Sequence, residues 1–199
     1  VILATGSRVK HLGVPGEDKF IGRGISYSAI SHAPLFIGKR TVVIGDGDLA
    51  LRAVTELALV ADSVHLVAHT QNALETPLVK RLATNMKVIV WEGYSVKEIQ
   101  GGNFAEKVII QTEEGASSEL EVDGVFVELG LLPNSEPIQG LADLDNRGRV
   151  IVDNLNRTTC PGLFAAGDVT NAFAEQVLIA VGEGAKAALS AYDYLLPTL

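Results

Sequence analysis

A short β-branched run, Thr41-Val42-Val43-Ile44, leads directly into Gly45-Asp46-Gly47-Asp48-Leu49-Ala50 and then into a segment of helical apolar spacing. This order of strand, glycine loop and helix constrains the fold more than any other feature of the chain. Gly45 permits a tight turn, Gly47 lets backbone approach a pyrophosphate, and Ala50 lets the helix pack closely on the strand. Phosphates placed there meet free amides and the positive end of the helix dipole. Apolar residues recur at Leu49, Ala53, Leu57 and Val60, and Ser63-Val64-His65-Leu66-Val67 reads as the next strand. A right-handed crossover makes the two strands parallel, giving a βαβ unit.

Two acids complicate the loop. Asp46 and Asp48 put carboxylates where two phosphate charges would arrive, and unit charges about 4 Å apart repel by about 1 kcal/mol even in water. Asp48 has a structural reading as a cap on the first amides of the helix. Asp46 has none unless it faces solvent. After the second strand, an acid would bind a ribose hydroxyl and arginines would bind a 2′-phosphate. The chain has Ala68-His69-Thr70-Gln71 there, which leaves NADH versus NADPH open. His69 reads as a surface histidine rather than a phosphate ligand.

The rest of the chain follows the same α/β logic. Residues 7–40 are turn-rich, with Pro15-Gly16, Gly22, Gly24, Pro34 and Gly38. A helix is expected over 76–85 with Pro77 in its first turn, and Lys87-Val88-Ile89-Val90-Trp91 as a strand. Residues 95–120 alternate as an antiparallel meander laid on the parallel sheet. Asp123-Gly124-Val125-Phe126-Val127-Glu128 closes the unit. Gly162-Leu163-Phe164-Ala165-Ala166-Gly167-Asp168 is a small-residue strand ending in an acid. A long helix over 175–196 follows, in which Gly182 and Gly184 are expected to permit close packing.

The net charge of −8 disfavours nucleic acid and anionic membranes as partners. No apolar run approaches the ~20 residues that span a bilayer, so a cytoplasmic protein is expected. Cys160 is the only cysteine in the chain, which excludes an internal disulfide and a multi-cysteine metal site; it reads as a structural or incidental thiol. The opening Val1-Ile2-Leu3-Ala4-Thr5-Gly6 reads as the interior of a strand, so a preceding segment is expected to be missing.

These motifs together resemble the low-molecular-weight thioredoxin reductase family of pyridine nucleotide-disulfide oxidoreductases, especially its branch of alkyl hydroperoxide reductase flavoprotein subunits. Ala4-Thr5-Gly6, Val14-Pro15-Gly16-Glu17-Asp18, Pro34-Leu35-Phe36-Ile37-Gly38-Lys39-Arg40, Gly130-Leu131-Leu132-Pro133-Asn134, Phe164-Ala165-Ala166-Gly167-Asp168 and Gly182-Glu183-Gly184-Ala185-Lys186-Ala187 carry the resemblance. It implies a Rossmann-like NAD(P)-binding domain over 35–132, inserted into an FAD-binding domain made of 1–34 and 133–199. The first part of that FAD domain is expected before Val1. The implied cofactors are FAD and NAD(P)H, and the implied assembly is a homodimer. Asp168 resembles the acid that accepts from the FAD ribityl chain. Glu175-Gln176-Val177 resembles the helix start at the flavin's pyrimidine edge, where the dipole favours the reduced flavin's negative charge. Ala4, Thr5, Gly6, Gly130 and Gly167 join them as expected cofactor contacts, with Gly45, Gly47, Asp48 and Ala50 in the nucleotide loop.

One departure bears on function. The family's Cys-x-x-Cys and following acid align with Ser28-Ala29-Ile30-Ser31-His32. A hydroxyl forms neither a disulfide nor a flavin thiolate adduct, so thiol exchange through this turn is excluded. No catalytic residue is assigned: Ser28, Ser31 and His32 occupy the position. The expected function is an FAD-dependent NAD(P)H oxidoreductase delivering electrons to an unspecified non-disulfide acceptor, a small molecule or a carrier protein. The alternatives are a flavin-binding or regulatory homologue with a decayed nucleotide site, and a disulfide reductase whose cysteines lie outside this chain.

Overall fold

The computed structural model describes residues 1–70, 81–82 and 84–198; the helix expected over 76–85 lies for most of its length outside the described residues. In chain order the strands are β1 (Ile2–Leu3), β2 (Ser7–Val9), β3 (Ile25–Ser26), β4 (Arg40–Ile44), β5 (Ser63–Ala68) and β6 (Val88–Glu92). They continue as β7 (Tyr94–Gln100), β8 (Lys107–Thr112), β9 (Ser117–Glu121), β10 (Gly124–Val127), β11 (Leu131–Pro133) and β12 (Phe164–Ala165). The described α-helices are α1 (Glu17–Phe20), α2 (Ala29–His32), α3 (Asp48–Val60) and α4 (Val177–Leu195).

The chain divides into two compact units: Val1–Lys10 with Leu131–Leu199, and His11–Gly130, which interrupts the first in sequence. The inserted unit is a Rossmann-like α/β layer. Its parallel sheet has the order β3-β10-β4-β5-β6, and β7-β8-β9 form a separate antiparallel sheet, the expected meander. Alternation along the strands sorts side chains to the two faces. Val43, Leu66 and Phe126 pack with Ala50, Val54 and Leu57 of α3. Val42, Ile44, Val67, Val125 and Val127 pack on the other face with Ile99, Val108, Ile110 and Leu120 of the meander. The parallel strands therefore read as continuous apolar runs, because both faces are covered.

Within α3 the buried stripe is Ala50, Leu51, Ala53, Val54, Leu57 and Ala58, while Leu49, expected on it, is exposed. The first expected domain boundary also moves. Residues 11–34 belong to the inserted unit because Ile25 and Ser26 pair in parallel with Val125 and Phe126, and because the Ile99 amide donates to the Pro15 carbonyl at 2.9 Å. Phe20 and Ile25 join the core beneath the meander.

In the interrupted unit β1 pairs in parallel with β12, and β2 pairs antiparallel with β11. Leu3, Ile138, Val150, Leu163, Ala165 and Val169 form one core, and Phe164, Ala166 and Ala187 another. Asn156 adopts φ 59° and is fully buried, its Nδ2 donating to the Ala165 carbonyl at 2.8 Å and to Glu183 of α4. The close packing expected at Gly182 and Gly184 is not seen: a Cβ at either would meet no atom within 4 Å. Only Ala187 and Ser190 of α4 are buried. No helix among the described residues is long and apolar enough to cross a membrane.

Candidate functional site

The glycine loop leaves β4 at Ile44 and enters α3 at Asp48. The Gly45 amide donates to the Val67 carbonyl at 3.0 Å, fixing the turn against β5. Gly45 has φ 150°, and a Cβ on it would lie 2.5 Å from the Glu128 carbonyl oxygen and 3.0 Å from the Ala50 Cβ. Any larger residue at 45 is therefore forbidden by backbone, and Ala50 is small for the same close approach. Gly47 is the N-cap of α3, extended and without a side-chain cap, and a Cβ there would meet nothing within 4 Å. The first amides of α3 thus face open space in the arrangement that suits a pyrophosphate. Asp48 does not cap them as expected. It is the first helical residue, so its side chain complements the dipole but reaches no backbone amide of the first turn.

Beside the loop lies a cavity of about 200 Å³ whose walls include Gly45, Asp46, Val67, His69, Tyr94 and Ser95. Asp46 is exposed, as its position in the loop permitted, and its Oδ2 accepts from the Thr70 hydroxyl at 2.8 Å. His69 Nδ1 lies 2.7 Å from Ser95 Oγ, while Ala68, in the position of the ribose-binding acid, is fully buried. The residues present fit a dinucleotide: uncapped amides for phosphate, a cavity with an apolar wall for base and sugar, and polar groups at its rim.

The serine turn sits in the same unit. Ser28 caps α2, accepting from the Ser31 amide at 3.4 Å and donating to Ser31 Oγ at 3.1 Å. His32 Nδ1 is 2.9 Å from Ser26 Oγ and 3.2 Å from the Ser28 carbonyl oxygen. Glu128, which directly follows β10, was not singled out by sequence. Its Oε1 accepts from the Ala29 amide at 2.8 Å, so one residue backs the glycine loop with its carbonyl and holds the serine turn with its side chain. Burial, reinforced by the nearby charge of Glu56, pushes the Glu128 carboxyl up to about 7, although the Ala29 hydrogen bond pulls the other way. An acid closing an entirely buried strand was the signal available for it.

In the interrupted unit, Leu3 pairs with Ala165, so Ala4-Thr5-Gly6 and Ala166-Gly167-Asp168 leave the same end of a parallel pair. Ser7 Oγ lies 3.5 Å from Asp168 Oδ2. Thr5 Oγ1 donates to the Asn134 carbonyl at 2.6 Å, and Asn134 Nδ2 returns a bond to the Thr5 carbonyl at 2.9 Å. Gly167 has φ 77° and lies against Ala180, so the first turns of α4 reach this cluster. Gln176 caps α4 without a side-chain bond, and Glu175, Gln176 and Val177 are exposed. Uncapped amides beside Asp168 fit a flavin's polar edge. Gly130, expected with these residues, is the last residue of the inserted unit, with φ 95°.

Comparisons with known proteins agree with this geometry. The family model "Pyridine nucleotide-disulphide oxidoreductase" matches residues 1–184. The chain is 40% identical over its whole length to the F subunit of alkyl hydroperoxide reductase from Pseudomonas putida, covering 39% of that protein. It is 38% identical to a protein named NADH dehydrogenase from Bacillus subtilis (strain 168), over 98% of the chain and 39% of the relative. The chain thus spans about two-fifths of the length of these relatives. Among solved structures, thioredoxin reductase from Streptococcus pyogenes MGAS5005 superposes with a TM-score of 0.88 at 34% identity, over 99% of this chain and 65% of that one. The thioredoxin reductase from Giardia duodenalis gives 0.88 at 27% identity, over 98% and 65%. The chain belongs to the pyridine nucleotide-disulphide oxidoreductase family.

Proposed function

We propose that the full protein is an FAD-dependent NAD(P)H oxidoreductase of thioredoxin-reductase type whose electrons leave to a non-disulfide acceptor. The inserted unit holds the nicotinamide nucleotide and the interrupted unit holds the flavin. The cofactors supply hydride transfer from nicotinamide to flavin; the protein supplies binding, orientation and electrostatics. Gly45 and Gly47 admit the pyrophosphate to the amides of α3, and the uncapped start of α4 beside Asp168 stabilises charge on the flavin's edge. A homodimer and a cytoplasmic location belong to the same proposal, on the strength of the family resemblance.

The observation that carries the acceptor reading is the Ser28–Ser31 pair, hydroxyl to hydroxyl at 3.1 Å across the first turn of α2. A turn that would seat two sulfurs holds oxygens, which have no disulfide chemistry. The test is turnover of the full-length flavoprotein with NADH or NADPH after thiol alkylation. A quinone or ferricyanide is expected to be reduced at an undiminished rate, while an aromatic disulfide is not. Disulfide reduction abolished by alkylation but retained in a Cys160→Ser variant would instead place the working cysteines outside this chain. Asp46 and Asp48 favour a second reading, a flavoprotein whose nucleotide site has decayed, and absence of binding by either nucleotide would support it.

A further inference from the structure

We infer that Asp46, positioned by Thr70, is the residue that selects NAD(H) over NADP(H), taking the place of the acid absent at Ala68. The inference rests on the proposed nucleotide role of the glycine loop. In this fold the ribose of the bound nucleotide lies at the end of the second strand, where an acid ordinarily accepts from its hydroxyls. Here that position is Ala68, fully buried and without a polar side-chain atom. Two residues on, the Thr70 hydroxyl donates to Asp46 Oδ2 at 2.8 Å. That bond joins the glycine loop to the segment after β5 and holds a carboxylate at the rim of the cavity that Gly45 and Val67 also line. The carboxylate reaches the ribose region from the loop instead of from the strand.

Charge then decides between the nucleotides. A 2′-phosphate carries about 1.5 to 2 negative charges at neutral pH. Beside Asp46 it meets a like charge, whereas a free 2′-hydroxyl meets an acceptor. Among the described residues, no lysine or arginine lines the cavity to offset that repulsion. His69, the other titratable side chain on its wall besides Tyr94, has Nδ1 engaged with Ser95 Oγ at 2.7 Å. Selection of this kind works by an unfavourable contact with the wrong ligand as much as by a favourable one with the right ligand.

The experiment is calorimetric titration of the flavin-loaded, full-length protein with NAD⁺ and, separately, NADP⁺. The native protein is expected to bind NAD⁺ about tenfold or more tightly. Asp46→Asn, nearly isosteric, is expected to tighten NADP⁺, weaken NAD⁺ and bring the two within about threefold. Thr70→Val keeps the charge but frees it, and its ratio is expected to fall between the two; it also serves if Asp46→Asn does not fold. Equal or tighter NADP⁺ binding by the native protein, or a ratio unchanged in both variants, overturns the assignment and leaves the nucleotide reading of the loop intact. Binding of neither nucleotide by the native protein overturns both.

Discussion

Glu128 Oε1 accepts a hydrogen bond from the Ala29 amide at 2.8 Å, tying the end of β10 to the first turn of α2. The carbonyl of the same residue backs Gly45 so closely that a Cβ there would lie 2.5 Å away. The serine turn and the glycine loop are therefore braced by one acid, whose carboxyl burial pushes up to about 7.

That shift gives a pH dependence with a definite sign. A carboxyl whose folded pKa is raised binds protons better folded than unfolded. Its stabilising contribution is fully present below the ordinary value of 4.5 and is lost as pH rises through about 7. Glu128→Gln keeps an acceptor for Ala29 and removes the ionisation. The variant should match the native protein at pH 4 and exceed it at pH 8 by about 1–2 kcal/mol, after allowance for the solvent that reaches the group. Urea unfolding at the two pH values checks this; equal stabilities at pH 8 would contradict it.

Gly45→Val places side-chain atoms against the Glu128 carbonyl and Ala50. The loop must shift, and nucleotide binding should weaken at least about tenfold, with a loss of about 2 kcal/mol or more in stability. Calorimetry and thermal unfolding read the two effects separately.

Asn156 is buried at φ 59°, a conformation asparagine tolerates better than most residues, and it joins the Ala165 carbonyl to Glu183. Asn156→Ala loses both bonds and leaves acceptors unpaired, so a cost of about 1–3 kcal/mol is expected. Denaturant unfolding measures it, and a change below about 0.5 kcal/mol would show that the bonds do not matter.

Ser28→Cys with Ser31→Cys restores two sulfurs to positions whose oxygens are 3.1 Å apart. On mild oxidation the double variant should form a disulfide, seen as a mass decrease of about 2 Da and loss of the two added thiols to alkylation. Persisting free thiols would show that the turn no longer has a dithiol's geometry.

The sequence exposed what repeats or alternates. β4, α3 and β5 were legible because a β-branched run, a glycine loop and a 3.6-residue stripe stand in a row, and the meander was legible from its period of two. β3 was not, because Ile25 and Ser26 are too few to show a period; they join the sheet only through Val125 and Phe126, a hundred residues on. Leu49 fits the helical spacing yet faces solvent, since Ala50 and Leu51 are the residues turned inward. The glycine loop could be read in advance because its demands are local. The Asp46–Thr70 and Glu128–Ala29 bonds could not, being side-chain contacts across folded distance that no spacing rule encodes.

The central claim is that a nicotinamide nucleotide delivers hydride to a flavin in this protein without a dithiol. Anaerobic rapid mixing of the full-length, thiol-alkylated flavoprotein with NADH, and in parallel NADPH, addresses it most directly. The flavin absorbance near 450 nm is predicted to bleach, about two electrons per flavin, with NADH and more slowly with NADPH. An absorbance that stays unchanged with both nucleotides would contradict it.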